Sequence, residues 1–336
     1  MAEDIDNNSA TRTYQLQTIS NLYNSGIPNE IISLQLDITE EEVEKTIEKI
    51  TEEQEELAAQ ESLASKAPSL DLFYLDAVVN VELAIKQAQN SMWEVLNSKS
   101  IFDISMEETH RILQKYAKSK VTLVILHIDV VDSTKLSMIL PIDRLTTIIQ
   151  AFSREMSLII AAYGGYILKY MGDAILAFFP VNILDVYKGL PCINAINCAR
   201  SMIKVVQQGI NPILEQNGYP EISVRIGIDV GDQNAVLQYG WDIMHRLNHD
   251  KFDNNIQNQK IVKSPHYDII GYTVNVAVKM TGLVKPNRVA IGQLVYEALD
   301  EKEKSAFEIL TVDTNVWSYI SNTTGSIYSV YTSISY

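Results

Sequence analysis

The pattern of apolar and polar positions divides the chain near residue 119. Beyond it, short, nearly continuous apolar runs alternate with longer segments in which apolar residues recur at helical spacing. The former predict strands buried on both faces, the latter helices packed on one. Val121–Asp129 is the first strand, and the periodicity predicts one helix over about 134–162. Gly164-Gly165 turns into a second strand, Tyr166–Tyr170, which Met171-Gly172-Asp173 joins tightly to a third, Ala174–Phe179. A helix over about 191–208 leads to a fourth strand, Ile222–Val230. Polar sequence follows, then a helix near 272–283, a strand at 288–291, a short helix around 294–299 and two β-rich segments. This order predicts an α+β fold, a ferredoxin-like split βαβ sheet with additions, preceded by an all-helical region.

Upstream, residues 1–11 are small, polar and acidic, the composition of a disordered tail. Residues 12–64 hold three short helical patterns: Leu16, Ile19 and Leu22-Tyr23 up to Gly26; Ile31-Ile32 and Leu34 after Pro28; and a third from Ile38-Thr39. Thr39 with Glu42 three residues on is a capping box. Residues 65–118 start with a linker, Ser65-Lys-Ala-Pro-Ser69, followed by helices over about 71–96 and 106–117 suited to signalling, dimerisation or plain packing. Residues 119–336 form the remaining unit.

Charge sharpens this division. The net charge is −15, and residues 1–63 hold 15 acids against three bases, whereas the other 273 residues hold 27 and 24. The acidic excess therefore belongs to the N-terminal segment, which disfavours a polyanion such as nucleic acid. No apolar run reaches the length of a membrane helix and the polar start lacks a signal-peptide pattern, so the expectation is a cytoplasmic protein without membrane association. Cys192 and Cys198, six residues apart in one helical pattern, are expected to be reduced core thiols.

The chemistry gathers at two carboxylates. Asp129 ends an apolar strand and Asp173 sits at the tip of the predicted hairpin. A split βαβ sheet lays the first strand beside that hairpin, which brings both within reach of shared divalent cations that clamp a phosphate. Helix and turn capping is the plain alternative for each. After Asp129 the chain runs through Ser133 and Thr134 into a helix, whose free N–H groups suit a triphosphate. An ordinary N-cap role for Ser133 or Thr134 stands beside that reading.

Four stretches, LHIDVVDSTKLS, GGYILKYMGDAILAFF, VRIGIDVGDQNAVLQYG and HYDIIGYTVNVAVKM, resemble, in order, the class III nucleotide cyclases. The resemblance covers about two thirds of the chain. It implies a homodimer with composite sites, in which the ribose 3′-hydroxyl of a nucleoside triphosphate attacks its own α-phosphate and pyrophosphate leaves. It places Asp129 and Asp173, with the backbone carbonyl of Val130, as ligands of two Mg or Mn ions. It places Lys169 and Asp268 at the base, where a lysine that only donates faces N1 of adenine and a carboxylate that only accepts takes the 6-amino hydrogens. An ion pair between the two is the structural alternative. The implied substrate is ATP and the product cyclic AMP. Asn275 matches the asparagine that orients the ribose or the transition state, and Lys279 stands where the family has an arginine.

Two departures qualify the resemblance. Lysine lacks the planar fork of arginine, so Lys279 is not a conservative replacement. The stretch Val316–Gly325 contains no base where the family often has a lysine for the triphosphate; Arg225, Lys260, Lys263 and Lys285 are the other bases that could stand in. Residues 240–264 are expected as an insertion: a flap, a dimer contact or a surface loop. His245 and His249 are four residues apart within it, with no third ligand nearby. Residues 22–50 resemble a resolvase-type helix-turn-helix, but the third helix is rich in glutamate, so protein docking or dimerisation is favoured over DNA reading. A nucleotide-binding sensor without turnover, and a cyclase for another base, are the rival functions.

Overall fold

The computed structural model describes residues 18–23, 27–49, 80–97, 106–181, 189–245, 261–321 and 324–334, without the side chains of 241–245 and 261–264. The expected tail 1–11, the linker 65–69, the start of the helix from Asp71 and the middle of the 240–264 segment lie outside the described residues.

Among the described residues eight strands form one sheet: β1 Lys120–Val130, β2 Tyr166–Met171, β3 Ala174–Pro180, β4 Val224–His245, β5 Ile261–Gly271, β6 Arg288–Gly292, β7 Phe307–Ile309 and β8 Val330–Ser333. Their order is β2-β3-β1-β4-β6-β8-β7, with β5 paired to β4. β1 lies antiparallel between β3 and β4, the split βαβ arrangement, and β6 runs parallel to β4. Because β1 is central it buries both faces, which is why its sequence is almost continuously apolar. Val124, Leu126, Ile128 and Val130 enter the large helix-covered core, whereas Val121, Leu123 and Ile125 enter a smaller core on the other face.

Helices cover the sheet. In chain order they are α1 (residues 18–23), α2 Asn29–Leu36, α3 (residues 40–49), α4 Val81–Asn97, α5 Glu107–Lys115, α6 Ser133–Ile139, α7 Ile142–Ala162, α8 Leu190–Lys204, α9 Asn211–Gln216, α10 Tyr272–Thr281, α11 Gln293–Ala298 and α12 Glu301–Lys304. α1, α2 and α3 pack Ile19, Leu22, Ile32 and Val43 against Leu158, Ala161 and Ala162 of α7. The capping box at α3 is formed: Thr39 N–H donates to Glu42 Oε2 at 3.0 Å and Glu42 N–H to Thr39 Oγ1 at 3.2 Å. Cys192 and Cys198 are buried free thiols within α8.

Three sequence expectations are corrected. The helix predicted over 134–162 is two helices, α6 and α7. Leu140 is extended, with φ −95° and ψ 143°, because the ring of Pro141 disfavours a helical residue before it. The helix predicted over 191–208 continues through a π-helical segment, Val205–Ile210, into α9. There Gly209 meets α4 so closely that a Cβ would lie 3.0 Å from the Ala88 side chain and 3.2 Å from the Ile85 carbonyl. Finally, the flanks of the 240–264 segment are no loop: β4 and β5 stay paired from Asn234↔Gly271 out to His245↔Ile261, with a register shift between Gln238 and Gly240. Polar residues hid this strand pairing, which backbone hydrogen bonding between β4 and β5 carries.

Candidate active site

The β2–β3 hairpin closes with Met171 opposite Ala174, leaving Gly172 and Asp173 at the tip. Gly172 has φ +69°, which only glycine adopts without strain, at the first central position as a type II′ turn requires. Asp173 thereby reaches the end of β1. Asp129, the penultimate residue of β1, feels its charge: burial raises the Asp129 pKa, and the Asp173 carboxylate raises it further. Arg225 opposes this. It stands directly across from Asp129 in the β1–β4 register, and its guanidinium donates to Asp129 Oδ2 at 3.3 Å. Two positions before Asp129, His127 Nδ1 lies 2.9 Å from Thr281 Oγ1, and burial lowers its pKa to about 4 although Asp173 pulls the other way.

One oxygen of the pair lacks a partner. Asp173 Oδ2 is buried and makes no hydrogen bond. Beside it lies a cavity of 370 Å³ whose lining includes Ser133, Thr134, Thr146, Gln150, Gly172 and Asp173. Asp132, not Ser133 or Thr134, occupies the N-cap of α6, so both hydroxyl residues border the cavity without serving as that cap. Two adjacent carboxylates, one with a free oxygen, fit a hard divalent cation. Among the described residues no group of three or more His, Cys, Asp or Glu could hold a metal. A cation here would complete its shell with backbone carbonyls, such as that of Val130, water and ligand oxygens.

The base-recognition candidates also meet. Lys169 Nζ donates to Asp268 Oδ2 at 2.5 Å, joining β2 to β5 across the smaller core face. Strand alternation alone would turn Lys169 towards the helix-covered core. Tyr166 pairs with Phe178 and Ile167 with Ala177, but Lys169 then pairs with Leu176, so Leu168 is the extra residue of a bulge. The bulge re-aims Lys169 to the face of Leu168 and Leu176. Asp268 Oδ1 accepts from Ile269 N–H at 2.8 Å, which fixes the carboxylate.

Asn275 and Lys279 lie four residues apart on the exposed side of α10. Among the described residues no hydrogen bond or ion pair joins either one to Asp129 or Asp173. Lys279 Nζ instead lies over the Tyr319 ring, 5.7 Å from its centre.

Sequence reading missed one group. Asp229, in the first third of β4, is fully buried, and Tyr328 donates its hydroxyl to Asp229 Oδ1 at 2.6 Å. Burial raises this carboxyl to about 7. The only signal was a carboxylate inside an apolar run.

No family model matches the chain. It is 32% identical over 129 residues to a cytidylate cyclase of Escherichia coli, covering 34% of this chain and 28% of that protein. It is 29% identical over 153 residues to a cytidylate cyclase of Staphylococcus aureus, covering 45% and 36%. The chain thus spans about a third of the length of the curated relatives it matches. Among solved structures, the adenylyl cyclase CyaB of P. aeruginosa gives a TM-score of 0.47 at 19% identity, over 65% of this chain and 96% of that one. The guanylyl cyclase Cya2 gives 0.45 at 15% identity, over 65% and 93%. The resolvase-type likeness of the N-terminal helices finds no support in these matches. No described helix is long and apolar enough to cross a membrane. With its split βαβ sheet and its paired strand-end and hairpin-tip aspartates, the chain resembles the class III nucleotide cyclases.

Proposed function

We propose that the chain is a nucleotide cyclase that converts a nucleoside triphosphate to its 3′,5′-cyclic monophosphate and pyrophosphate. The observation that carries this reading is the Asp129–Asp173 pair, with a buried, unpartnered Asp173 oxygen beside a cavity. Mg or Mn held there would neutralise the phosphates and polarise the reacting oxygens. Asp129 and Asp173 would hold it, Arg225 keeps Asp129 aimed in its absence, and Ser133 and Thr134 would offer hydroxyls to the phosphate side. The 3′-hydroxyl gives its proton to solvent water, its oxygen bonds to the α-phosphorus, and the α-phosphorus–oxygen bond to the departing pyrophosphate breaks. Asn275 orients the ribose and Lys279 faces the charge that develops on the α-phosphate. Since neither is bonded to the aspartates, the reading includes a homodimer in which each subunit completes the other's site.

Substrate choice follows from the Lys169–Asp268 pair. Cytosine and adenine share one edge pattern, a ring nitrogen that accepts beside an amino group that donates. Lysine and aspartate match both and mismatch uracil and guanine. The cytidylate cyclases among the relatives favour CTP, and ATP is the second reading on the same edge. Purified protein incubated with each of the four nucleoside triphosphates and Mn tests this by chromatography of the products. Cyclic CMP supports the first reading and cyclic AMP the second. Absence of any cyclic product, with nucleotide still bound, favours the sensor that Lys279 and the base-free stretch 316–325 bring to mind.

A further inference from the structure

The Lys279 side chain makes no hydrogen bond or ion pair among the described residues; its ammonium lies instead against the Tyr319 ring, at a distance typical of a cation–π contact. That ring is itself held. Trp317 packs edge-on against Tyr319 with ring centres 4.8 Å apart, and Trp317 is buried, 3% exposed. The Trp317 indole N–H donates to the Tyr328 carbonyl at 2.7 Å, and Tyr328 N–H donates back to the Tyr319 carbonyl at 2.7 Å. The Tyr328 hydroxyl in turn is fastened to buried Asp229 in β4. A continuous set of contacts therefore runs from the sheet to the ammonium of Lys279, through the stretch that contains no base of its own.

We infer that Tyr319 is a positioning residue for Lys279. A lysine is a point charge on a four-carbon stem, and holding it still has an entropic cost that the rigid guanidinium fork of arginine largely avoids. The ring confines the ammonium from one side and leaves the N–H donors that face away from it free for a phosphate. The anchoring through Trp317 and Tyr328 gives the ring one fixed place. The base-free stretch thus serves the phosphate through an aromatic side chain. This inference rests on the cyclase reading, in which Lys279 meets charge that develops only as the reaction proceeds. It goes beyond that reading by assigning a role to a residue that touches no substrate.

The test compares kcat and KM for cyclic product from CTP, and from ATP, in the wild type, Tyr319→Leu, Tyr319→Phe, Lys279→Ala and the Tyr319→Leu/Lys279→Ala double variant. Tyr319→Leu is expected to lower kcat by about fivefold with KM little changed, as loss of one cation–π contact implies. Tyr319→Phe keeps the ring and is expected to retain the wild-type rate. Adding Tyr319→Leu to Lys279→Ala is expected to lower the residual rate no further, since the ring then has nothing to position. A wild-type rate in Tyr319→Leu, alongside a disabled Lys279→Ala, overturns the positioning role and leaves the cyclase reading standing. An additive loss in the double variant also overturns it, because general damage to the fold behaves that way. A wild type that makes no cyclic product overturns both.

Discussion

Asp129 and Arg225 stand directly opposite each other on adjacent antiparallel strands and form an ion pair at 3.3 Å, each about one quarter exposed. The guanidinium is thus the resident counter-charge of a carboxylate that also faces Asp173. A cation bound by the two aspartates would take over that task. Arg225→Ala is expected to lower the stability of the metal-free protein by roughly 1–3 kcal/mol, since it strips a charged hydrogen bond from a half-buried carboxylate. Added Mn should then raise the melting temperature of the variant more than that of the wild type. Equal rises would show that Arg225 and the metal do not share Asp129.

The hairpin tip supplies a second test. Gly172 has φ +69° and nothing within 4 Å of where a Cβ would stand, so its replacement meets no clash and strains only the backbone. Gly172→Ala is expected to cost about 1–2 kcal/mol and to shift Asp173. Gly172→Asn, which tolerates positive φ better, is expected to cost less. Melting curves with and without Mn measure both effects. A Gly172→Ala protein with wild-type stability and wild-type Mn response would contradict the turn assignment.

These two positions show what sequence could reveal. β1 and the β2–β3 hairpin were legible because strands buried on both faces are continuously apolar and a Gly-Asp turn interrupts them. The facing of Lys169 was not, since the bulge at Leu168 adds one residue and reverses the alternation. Pro141 was visible, yet the apolar period runs across it, so the break between α6 and α7 was lost in the pattern. The outer half of β4 escaped because polar residues such as Gln238 make a strand look like a loop, although backbone pairing with β5 holds it. Asp129, Asp173, Lys169 and Asp268 were all nominated from the sequence, and the fold brings them together as two pairs. Arg225 was named there only as a base without a place.

Selectivity should follow the donor and acceptor pattern of the Lys169–Asp268 pair. Reversing it with Lys169→Glu and Asp268→Ser presents an acceptor to a ring N–H and a hydroxyl to a carbonyl, the complement of uracil and guanine. The double variant is expected to raise the rate with UTP or GTP relative to CTP or ATP by about tenfold or more, the scale of one hydrogen-bonded edge. Competition among the four triphosphates, read by product chromatography, measures the ratio. If the order of preference survives the exchange, the pair is a structural ion pair and the base is read elsewhere.

The buried carboxyl of Asp229 makes stability depend on pH in a defined direction. Burial raises its pKa from 3.8 to about 7, against the opposing pull of the Tyr328 hydroxyl bond. Between those values the folded protein holds a proton that the unfolded chain releases, so stability falls as pH rises. The contribution is complete below about 3.8 and gone once pH passes about 7. The comparison with Asp229→Asn cancels the other titrating groups, which makes pH 5 to 7 an informative window. Across it the wild type is expected to lose on the order of 2 kcal/mol that Asp229→Asn does not lose, since the amide never ionises yet still accepts the Tyr328 hydroxyl. Urea unfolding of both proteins at pH 5, 6 and 7 gives the comparison. Parallel pH profiles would mean that Asp229 is already ionised in the folded protein at pH 5, and that the Tyr328 bond outweighs burial.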